Sequence, residues 1–237
     1  MKASVTKAYY EDSHVQIFHV SAFKALAAFP PESFDCVVTD PPYWTLDKHR
    51  GTGTTTRLGG NREASKQSGW FKTIDHNELM QFASLVYTTL KKNHHAYVMS
   101  DGQTLRYALN YFGDLFDNVK PLVWDKVNQG MGYHYRCRHE FFLMCDKGKN
   151  RQTNSKSVPD VWTVPMIRGG YPTEKPVELM KIPIANSTNE SDLVCDPFMG
   201  GGSTLVAVKQ LNRRAIGFDI SEEACELAAK RCQETLL

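Results

Sequence analysis

Short apolar runs rich in β-branched residues alternate along the chain with segments whose apolar residues recur at helical spacing. The apolar runs predict seven strands, at residues 15–20, 34–39, 96–100, 121–124, 140–145, 193–195 and 215–218. The periodic segments predict helices at 22–28, 77–90, 103–115, 176–185, 203–211 and 222–234. Because strands and helices alternate, we expect an α/β fold in which a mostly parallel, seven-stranded sheet carries helices on both faces.

Two of the predicted helices have recognisable start signals. Either Asp75 or Asn77 is suited to cap the helix that begins near Glu78, and Ser221 precedes two acidic residues at the start of the last helix. Such side chains accept hydrogen bonds from the backbone N–H groups of the first turn, and acids favour its positive end. We therefore expect helices to begin at these positions.

Two stretches lack periodicity and are too long to be ordinary connections. Residues 44–69 are rich in glycine and threonine, and residues 146–172 follow the fifth predicted strand. Long irregular segments of this kind are usually lids or binding loops. No linker separates them from the rest, so we expect one domain that spans residues 1–237.

Length and composition are those of an ordinary globular protein. The 237 residues are 41% hydrophobic and 23% charged, which suits one α/β domain. No apolar run approaches the roughly 20 residues that a membrane span needs. The N-terminus lacks the apolar core of a signal peptide, so we expect a cytoplasmic protein without a membrane partner.

The six cysteines form no Cys-x-x-Cys pair. Cys36 and Cys195 lie inside apolar runs, where a thiol behaves as a small hydrophobic group. Cys137, His139 and Cys145 come closest to a ligand cluster but lack the spacing of a zinc site. We expect reduced, structural thiols and no metal.

Positive charge is concentrated in two segments, although the net charge of the chain is only +2. Residues 45–73 hold six basic and two acidic side chains, and residues 126–156 hold seven basic and two acidic ones. One interpretation is a positive face that follows a phosphate backbone. The other is that these are ordinary solvated loops, and charge alone does not separate the two.

The first candidate site is Asp40-Pro41-Pro42-Tyr43, directly after the predicted strand 34–39. Ligands of open α/β sheets bind beyond the carboxyl ends of the strands. Consecutive prolines make the turn stiff and leave its carbonyls free to accept hydrogen bonds. Asp40 and the Pro41 carbonyl would accept the two N–H groups of a planar amine while Tyr43 stacks on its ring. The alternative is a strand-ending turn without chemistry, since Asp and Pro commonly form turns.

The second candidate site is the glycine-rich turn that follows strand 193–195 and opens helix 203–211. About twenty residues later, Asp219 ends strand 215–218, the place where dinucleotide folds bind a ribose hydroxyl pair. The turn has neither Gly-Lys-Ser/Thr nor the Gly-x-Gly-x-x-Gly spacing of a pyrophosphate site. Together these features indicate a nucleoside-bearing cofactor of another kind.

At these residues the chain resembles the β group of DNA amino-methyltransferases, in which the catalytic motif precedes the cofactor motif. The matching segments are Asp40-Pro41-Pro42-Tyr43, Thr173-Glu174-Lys175-Pro176, Asp196-Pro197-Phe198-Met199-Gly200-Gly201-Gly202-Ser203 and Ile216-Gly217-Phe218-Asp219. The resemblance spans residues 15–231 with the motifs in the family's order. It implies the seven-stranded, Rossmann-like methyltransferase fold with a circularly permuted order of motifs.

The resemblance also implies S-adenosylmethionine as the cofactor and a flipped-out base in double-stranded DNA as the substrate. Phe198 is expected to pack against the cofactor. The cofactor residues that it implies are Asp196, Pro197, Phe198, Gly200, Gly202, Ser203, Asp219, Thr173 and Lys175. The catalytic residues are Asp40, Pro41, Pro42 and Tyr43. One departure concerns the cofactor adenine, because Ser21 stands where family members usually have an acid.

DNA contacts are expected from the loop at about 45–75 and from a small target-recognition region at about 126–172. The candidate residues are Lys48, Arg50, Arg57, Arg62, Arg136 and Arg138. Arg136 or Arg138 would contact phosphate or guanine, with Tyr133 or Tyr135 stacking near the gap. The alternative is a plain connecting loop whose aromatic rings pack on the sheet.

We expect methylation of adenine N6 rather than cytosine N4, because the family's cytosine members more often begin the catalytic motif with Ser. An RNA or protein amine methyltransferase remains an alternative, as does a non-catalytic DNA-binding or cofactor-sensing relative. By family analogy, a homodimer and a cognate restriction endonuclease are also candidate partners.

Overall fold

The computed structural model describes residues 7–43, 73–130, 134–149, 152–167 and 174–236. Its strands are β1 Tyr10–Glu11, β2 Val15–His19, β3 Phe34–Thr39, β4 Leu90–Ser100, β5 Asn118–Asp125, β6 His139–Lys147, β7 Val161–Thr163, β8 Leu193–Asp196 and β9 Arg214–Asp219. Its helices are α1 Ala22–Ala28, α2 His76–Thr89, α3 Leu105–Gly113, α4 Val177–Ser187, α5 Ser203–Gln210 and α6 Glu222–Glu234.

All the described strands join one sheet in the order β1-β2-β9-β8-β3-β4-β6-β5-β7. The five neighbours from β2 to β4 run parallel, while β6 is antiparallel to both β4 and β5. The carboxyl ends of β9, β8 and β3 therefore lie side by side at one edge. Because β6 runs the other way, its first residues lie at that same edge.

The predicted α/β class is confirmed, but the predicted number of strands is wrong. The described residues form nine strands rather than seven. The seven predicted strands make up the middle of the sheet, and the additional β1 and β7 lie at its two margins. These additions are two and three residues long, too short to show the alternation that predicts a strand.

One predicted boundary also moves by several residues. β4 begins at Leu90, whereas the sequence predicted a helix to residue 90 and a strand from residue 96. The added residues include Lys91, Lys92 and Asn93, which are polar, and Asn93 has a positive φ of 61°. Such residues give no hydrophobic signal, so only the buried end of β4 was visible in the pattern.

Two apolar cores cover the two faces of the sheet. Cys36 and Val38 of β3 pack with residues of α4, α5 and α6, whereas Val37 packs with residues of α1, α2 and α3. Every residue of β3 is buried, as expected for a parallel strand between two helical layers. The strand that leads into Asp40 is thus packed against helices on both sides.

The two predicted helix starts are confirmed. Asp75 caps α2 by accepting from the Glu78 N–H at 2.8 Å, and the Glu78 side chain accepts in return from the Asp75 N–H. Ser221 caps α6 by accepting from the Ala224 N–H at 3.2 Å. Across the described ranges, no helix is long and apolar enough to span a bilayer.

Candidate active site

Three aspartates lie at the carboxyl ends of three neighbouring parallel strands. Asp219 ends β9, Asp196 ends β8, and Asp40 follows the last residue of β3. The Phe198 N–H lies 3.3 Å from Thr39 Oγ1 and 3.2 Å from Asp196 Oδ1, so hydrogen bonds join the two candidate turns. The structure thereby brings the two predicted sites into one region, although they are more than 150 residues apart in sequence.

The Asp-Pro-Pro-Tyr turn is anchored to the segment that precedes α2. The Ile74 N–H donates to the Pro42 carbonyl at 2.8 Å, and Tyr43 pairs with Ile74 in an isolated parallel bridge. The Pro42 carbonyl, predicted to be free to accept a hydrogen bond, thus accepts one from within the protein. The reason is that the chain returns beside the turn to begin α2. Pro41 is buried and Pro42 half-buried.

Both carboxylate oxygens of Asp40 accept hydrogen bonds. The Tyr43 hydroxyl donates to Oδ1 at 2.9 Å, and Lys175 Nζ donates to Oδ2. Burial, followed by the negative charges of Asp40 and Glu140, raises the pKa of Tyr43 well above its usual value. Tyr43 therefore stays a neutral phenol that donates to Asp40, and its ring belongs to the apolar core.

Lys175, just before α4, is held between two acids. Burial lowers the pKa of its ammonium, but the charges of Asp40 and Glu140 outweigh that effect and raise the pKa overall. Lys175 Nζ lies 3.9 Å from Glu140 Oε2 in addition to its contact with Asp40. The sequence assigned Lys175 to the cofactor, whereas the structure places its ammonium on Asp40.

The glycine-rich turn depends on backbone conformations that glycine adopts readily. Gly200 has φ of 47° and Gly202 has φ of 78°. Asp219 orders this turn, because its Oδ2 accepts from the Gly200 N–H at 3.0 Å and its Oδ1 accepts from the Ser221 N–H at 2.9 Å. Burial raises the pKa of Asp219, and these two N–H groups partly offset that shift.

Asp196 is a buried carboxyl group at the centre of the site. Burial raises its pKa to about 7, against the opposing effect of hydrogen bonds from Thr204, Thr39 and the Phe198 N–H. Half-exposed Phe198 packs edge-on against Phe82 and Phe23, with ring centroids 5.1 and 6.3 Å apart, while Pro197 is buried. Asp196 therefore organises the turn from inside.

Sequence reasoning missed a tie between the Glu174-Lys175-Pro176 segment and the glycine-rich turn. Arg231 of α6 donates to the Gly201 carbonyl at 2.5 Å and to Ser203 Oγ at 3.2 Å. Its other Nη pairs with Glu174 at 2.8 Å. Ser203, predicted to bind cofactor, is thus buried with its hydroxyl accepting from Arg231. The sequence carried no signal for this pair, because its partners are 57 positions apart (231 − 174).

The predicted DNA-binding residues fall into two groups. Lys48, Arg50, Arg57 and Arg62 lie outside the described residues, as do Thr173 of the cofactor set and Tyr133. Arg136 is exposed, and the Tyr135 side chain is 89% exposed. Arg138 is also exposed, but it forms a two-pronged ion pair with Asp125 at 2.6 and 2.8 Å.

The residues at this edge fit a nucleoside-bearing cofactor. Asp219 offers carboxylate oxygens at a strand end beside a turn of three glycines, and the turn itself touches the strand that carries Asp40. Among the described residues, no three His, Cys, Asp or Glu side chains lie close enough to hold a metal ion. Cys36 and Cys195 are buried with free thiols, which confirms the interpretation that these two cysteines are structural.

Comparisons with known proteins agree with this arrangement. The N6_N4_Mtase family, described as DNA methylase, matches residues 34–230. The type II methyltransferase M2.DpnII of Streptococcus pneumoniae is 28% identical, over 97% of this chain and 93% of the relative. The DNA adenine methyltransferase YhdJ of Escherichia coli K12 is 24% identical, over 91% of this chain and 81% of the relative.

A solved structure shows the same fold. The cytosine-N4-specific PvuII DNA methyltransferase superposes with a TM-score of 0.73 at 16% identity, covering 95% of this chain and 88% of that one. The family match contains both the Asp-Pro-Pro-Tyr turn and the glycine-rich turn. The chain therefore belongs to the N6_N4_Mtase family of DNA methylases, the S-adenosylmethionine-dependent DNA amino-methyltransferases that its two turns resemble.

Proposed function

We propose that this enzyme transfers the methyl group of S-adenosylmethionine to N6 of a flipped-out adenine in double-stranded DNA. The observation that carries the proposal is the contact between its two turns. Asp40 follows β3, the neighbouring β8 leads into the glycine-rich turn, and hydrogen bonds to Thr39 and Asp196 connect the two. An amine held at Asp40 is therefore next to a cofactor held at Gly200 to Gly202.

The chemistry required of the chain is to orient an amine and make its nitrogen electron-rich. When bound, the cofactor supplies an electrophilic methyl group on a sulfonium. Asp40 and the Pro41 carbonyl accept the two N–H groups of the target amine, which aims its lone pair and raises its electron density. The new N–C bond would form as the C–S bond breaks, and the electrons of the C–S bond would stay with the cofactor that is released. The nitrogen then releases one proton to the Asp40 carboxylate or to water.

The geometry of the second turn supports the proposed cofactor contacts. Asp219 would accept from ribose hydroxyls, and the turn from Asp196 to Ser203 would let the cofactor approach the backbone closely. Phe198 is half-exposed beside this turn and offers a ring face or edge to the cofactor. The family resemblance also implies Thr173 and Lys175, but the ammonium of Lys175 contacts Asp40, so its proposed part is at Asp40 and not at the cofactor.

The choice of adenine rests on the first residue of the catalytic motif. Asp40 stands where the family's cytosine members more often have Ser. The relative YhdJ is named a DNA adenine methyltransferase. The cytosine-N4-specific PvuII enzyme shares the fold, so the second candidate is N4 methylation of cytosine at the same site.

Exposed basic residues would hold the DNA while the base is rotated out of the helix. Arg136 and Arg138 lie in a segment that leads into β6, whose first residues reach the edge of the sheet that carries Asp40. The basic residues of the loop at about 45–75, most of which lies outside the described residues, are also proposed to contact DNA. Stacking of Tyr43 on the base, as the sequence suggested, conflicts with the burial of its ring in the apolar core, and Tyr135 is assigned to the gap.

The enzyme is also proposed to act together with a cognate restriction endonuclease, because its relative M2.DpnII is named a type II methyltransferase. Such a partner cuts unmodified sites that the methyltransferase protects. We assign the enzyme to the cytoplasm, where this DNA is found, and a homodimer is the assembly that family analogy favours. Sedimentation with and without DNA measures the assembly.

The test of the proposed reaction is nucleoside analysis of the product. Purified enzyme is incubated with radiolabelled S-adenosylmethionine and unmethylated genomic DNA, which is then hydrolysed. Label in N6-methyladenine is the expected result. Label in N4-methylcytosine would retain the site and replace the base, whereas absence of label from DNA, with the cofactor shown to be bound, would overturn DNA as the substrate.

A further inference from the structure

A row of alternating charges extends from the catalytic turn across the edge of the sheet. It consists of Tyr43, Asp40, Lys175, Glu140 and Lys126, and we call it the charged row. Glu140 is the second residue of β6 and belongs to this edge, because the neighbouring Phe141 pairs with Ser100, the last residue of β4. Glu140 has so far been assigned no part in the reaction.

Each carboxylate of the row has two donor groups beside it. Asp40 accepts from Tyr43 and Lys175, while Glu140 Oε1 accepts from Lys126 and Glu140 Oε2 lies 3.9 Å from Lys175 Nζ. The side chains are largely withdrawn from solvent, with exposed fractions of 12% for Lys175, 24% for Asp40 and 29% for Glu140. The ammonium of Lys175 contacts Asp40 and would have to move only about one ångström to form the same contact with Glu140.

In this arrangement the target amine has to compete for Asp40. Each carboxylate oxygen can accept two hydrogen bonds, and both Asp40 oxygens already accept one, so an incoming amine shares Asp40 with Tyr43 and Lys175 or takes the place of one of them. Tyr43 is buried in the apolar core and has little room to withdraw. Lys175 is the donor that has a second acceptor close by.

We propose that Glu140 is a positioning residue that receives Lys175 from Asp40 when the target amine binds. Lys126 holds Oε1 of Glu140 and so leaves Oε2 directed at Lys175. The exchange keeps every carboxylate paired with a cation or a donor, which avoids the large cost of an unpaired buried charge. This inference rests on the proposed function, because it gives Asp40 the task of binding an amine.

The test is a double-mutant cycle on the full-length enzyme with Glu140→Gln, Lys175→Met and the double variant. Glu178→Gln, the same change at an exposed acid of α4 whose side chain pairs with Lys181, is the matched control. For each protein, kcat and KM for DNA methylation, the affinity for S-adenosylmethionine and Tm are measured.

In Glu140→Gln, Lys175 keeps its place on Asp40, so kcat is expected to fall by about tenfold or more while the affinity for S-adenosylmethionine changes little. In the Lys175→Met background, Glu140→Gln should lower kcat no further, because there is no longer an ammonium group that could move from Asp40 to residue 140. Glu140→Asp, which keeps the charge but shortens the reach, should give an intermediate kcat. The control should match the parent.

Tm provides a reading that does not depend on methylation. Contact between residues 140 and 175 predicts that the double variant loses less Tm than the two single variants added together. Coupling in Tm with independent effects on kcat would overturn the exchange and leave the proposed function standing. Absence of coupling in Tm would overturn the contact itself. A parent enzyme that methylates no DNA would overturn the proposed function and, with it, the part assigned to Glu140.

Discussion

Burial gives Asp196 an ionisation unlike that of an ordinary carboxyl group. Its pKa rises to about 7, because the loss of solvent outweighs the hydrogen bonds from Thr204, Thr39 and the Phe198 N–H. In the unfolded chain the pKa of this carboxyl group returns to the ordinary value for an aspartate, 3.8. Between these two values the folded protein keeps a proton that the unfolded chain has released.

The sign of this linkage sets a prediction for stability. Because the folded state binds the extra proton, the contribution of Asp196 to the free energy of unfolding falls as the pH rises from about 4 to about 7. We expect Asp196→Asn, which removes the titration, to gain Tm relative to the parent as the pH is raised from about 5 to about 8. Thermal unfolding of the protein without cofactor measures this.

Asp114→Asn, at an exposed acid after α3, is the control. Its Tm should differ from that of the parent by the same amount at every pH. A constant offset for Asp196→Asn as well would show that Asp196 is ionised in the folded protein throughout this range. The buried carboxyl would then have stronger partners than the hydrogen bonds described above.

At the scale of elements, Gly202 sets how closely α5 and α6 pack. It precedes α5 with a left-handed φ of 78°, and a Cβ there would lie 2.7 Å from the Cβ of Ala228 in α6. Sequence reasoning assigned this glycine to the approach of a ligand. The structure adds that a side chain here would also push two helices apart.

Gly202→Ala is expected to destabilise the protein by about 2–4 kcal/mol, from the positive φ and the overlap with Ala228 together. Chemical denaturation measures this change. Gly113→Ala is the matched control, because a Cβ at that position meets nothing within 4 Å, and it should be neutral or slightly stabilising. Equal stability of the two variants would contradict the described packing of α5 on α6.

The elements also show what the sequence could and could not predict. The middle of the sheet was predictable, since buried strands such as β3 are continuous apolar runs with turn formers behind them. The same pattern located Asp40, Asp196 and Asp219, because each stands where such a run ends. β1 and β7 were not predictable, since they are too short for any periodicity.

The side-chain contacts within the site could not be predicted from the pattern of apolar and polar residues. Lys175 and Asp40 are separated by 135 positions, and their contact depends on how α4 packs beside β3. Glu140 carried only the signal of an acid in a basic segment, which does not distinguish a site residue from a surface one. Distances between remote positions follow from the packed fold and not from local periodicity.

At the scale of the whole molecule, exposed positive charge lies in the segment that precedes β6. The chain is nearly neutral, yet exposed Arg136 and Tyr135 precede β6, which begins at the edge that carries the active site. Arg138 is restrained by Asp125, so part of its charge is already balanced. Arg136 is therefore the better candidate of the two for a phosphate.

We expect Arg136→Ala to weaken DNA binding and to reduce the slope of log affinity against log salt by about 1. Fluorescence anisotropy at several salt concentrations measures both quantities. Lys92→Ala, an exposed basic residue at the other end of β4, should leave affinity and slope unchanged. Unchanged DNA affinity in Arg136→Ala would show that this residue does not contribute to DNA binding.

The central claim is that the Asp40 turn performs methyl transfer on an amine beside the glycine-rich turn. The most direct measurement compares Asp40→Ala with the parent in single-turnover methylation of DNA, with binding of S-adenosylmethionine and DNA measured separately. We predict that both ligands still bind and that the transfer rate falls by at least about 100-fold. A variant that binds both ligands and methylates DNA at the parent's rate would contradict the claim.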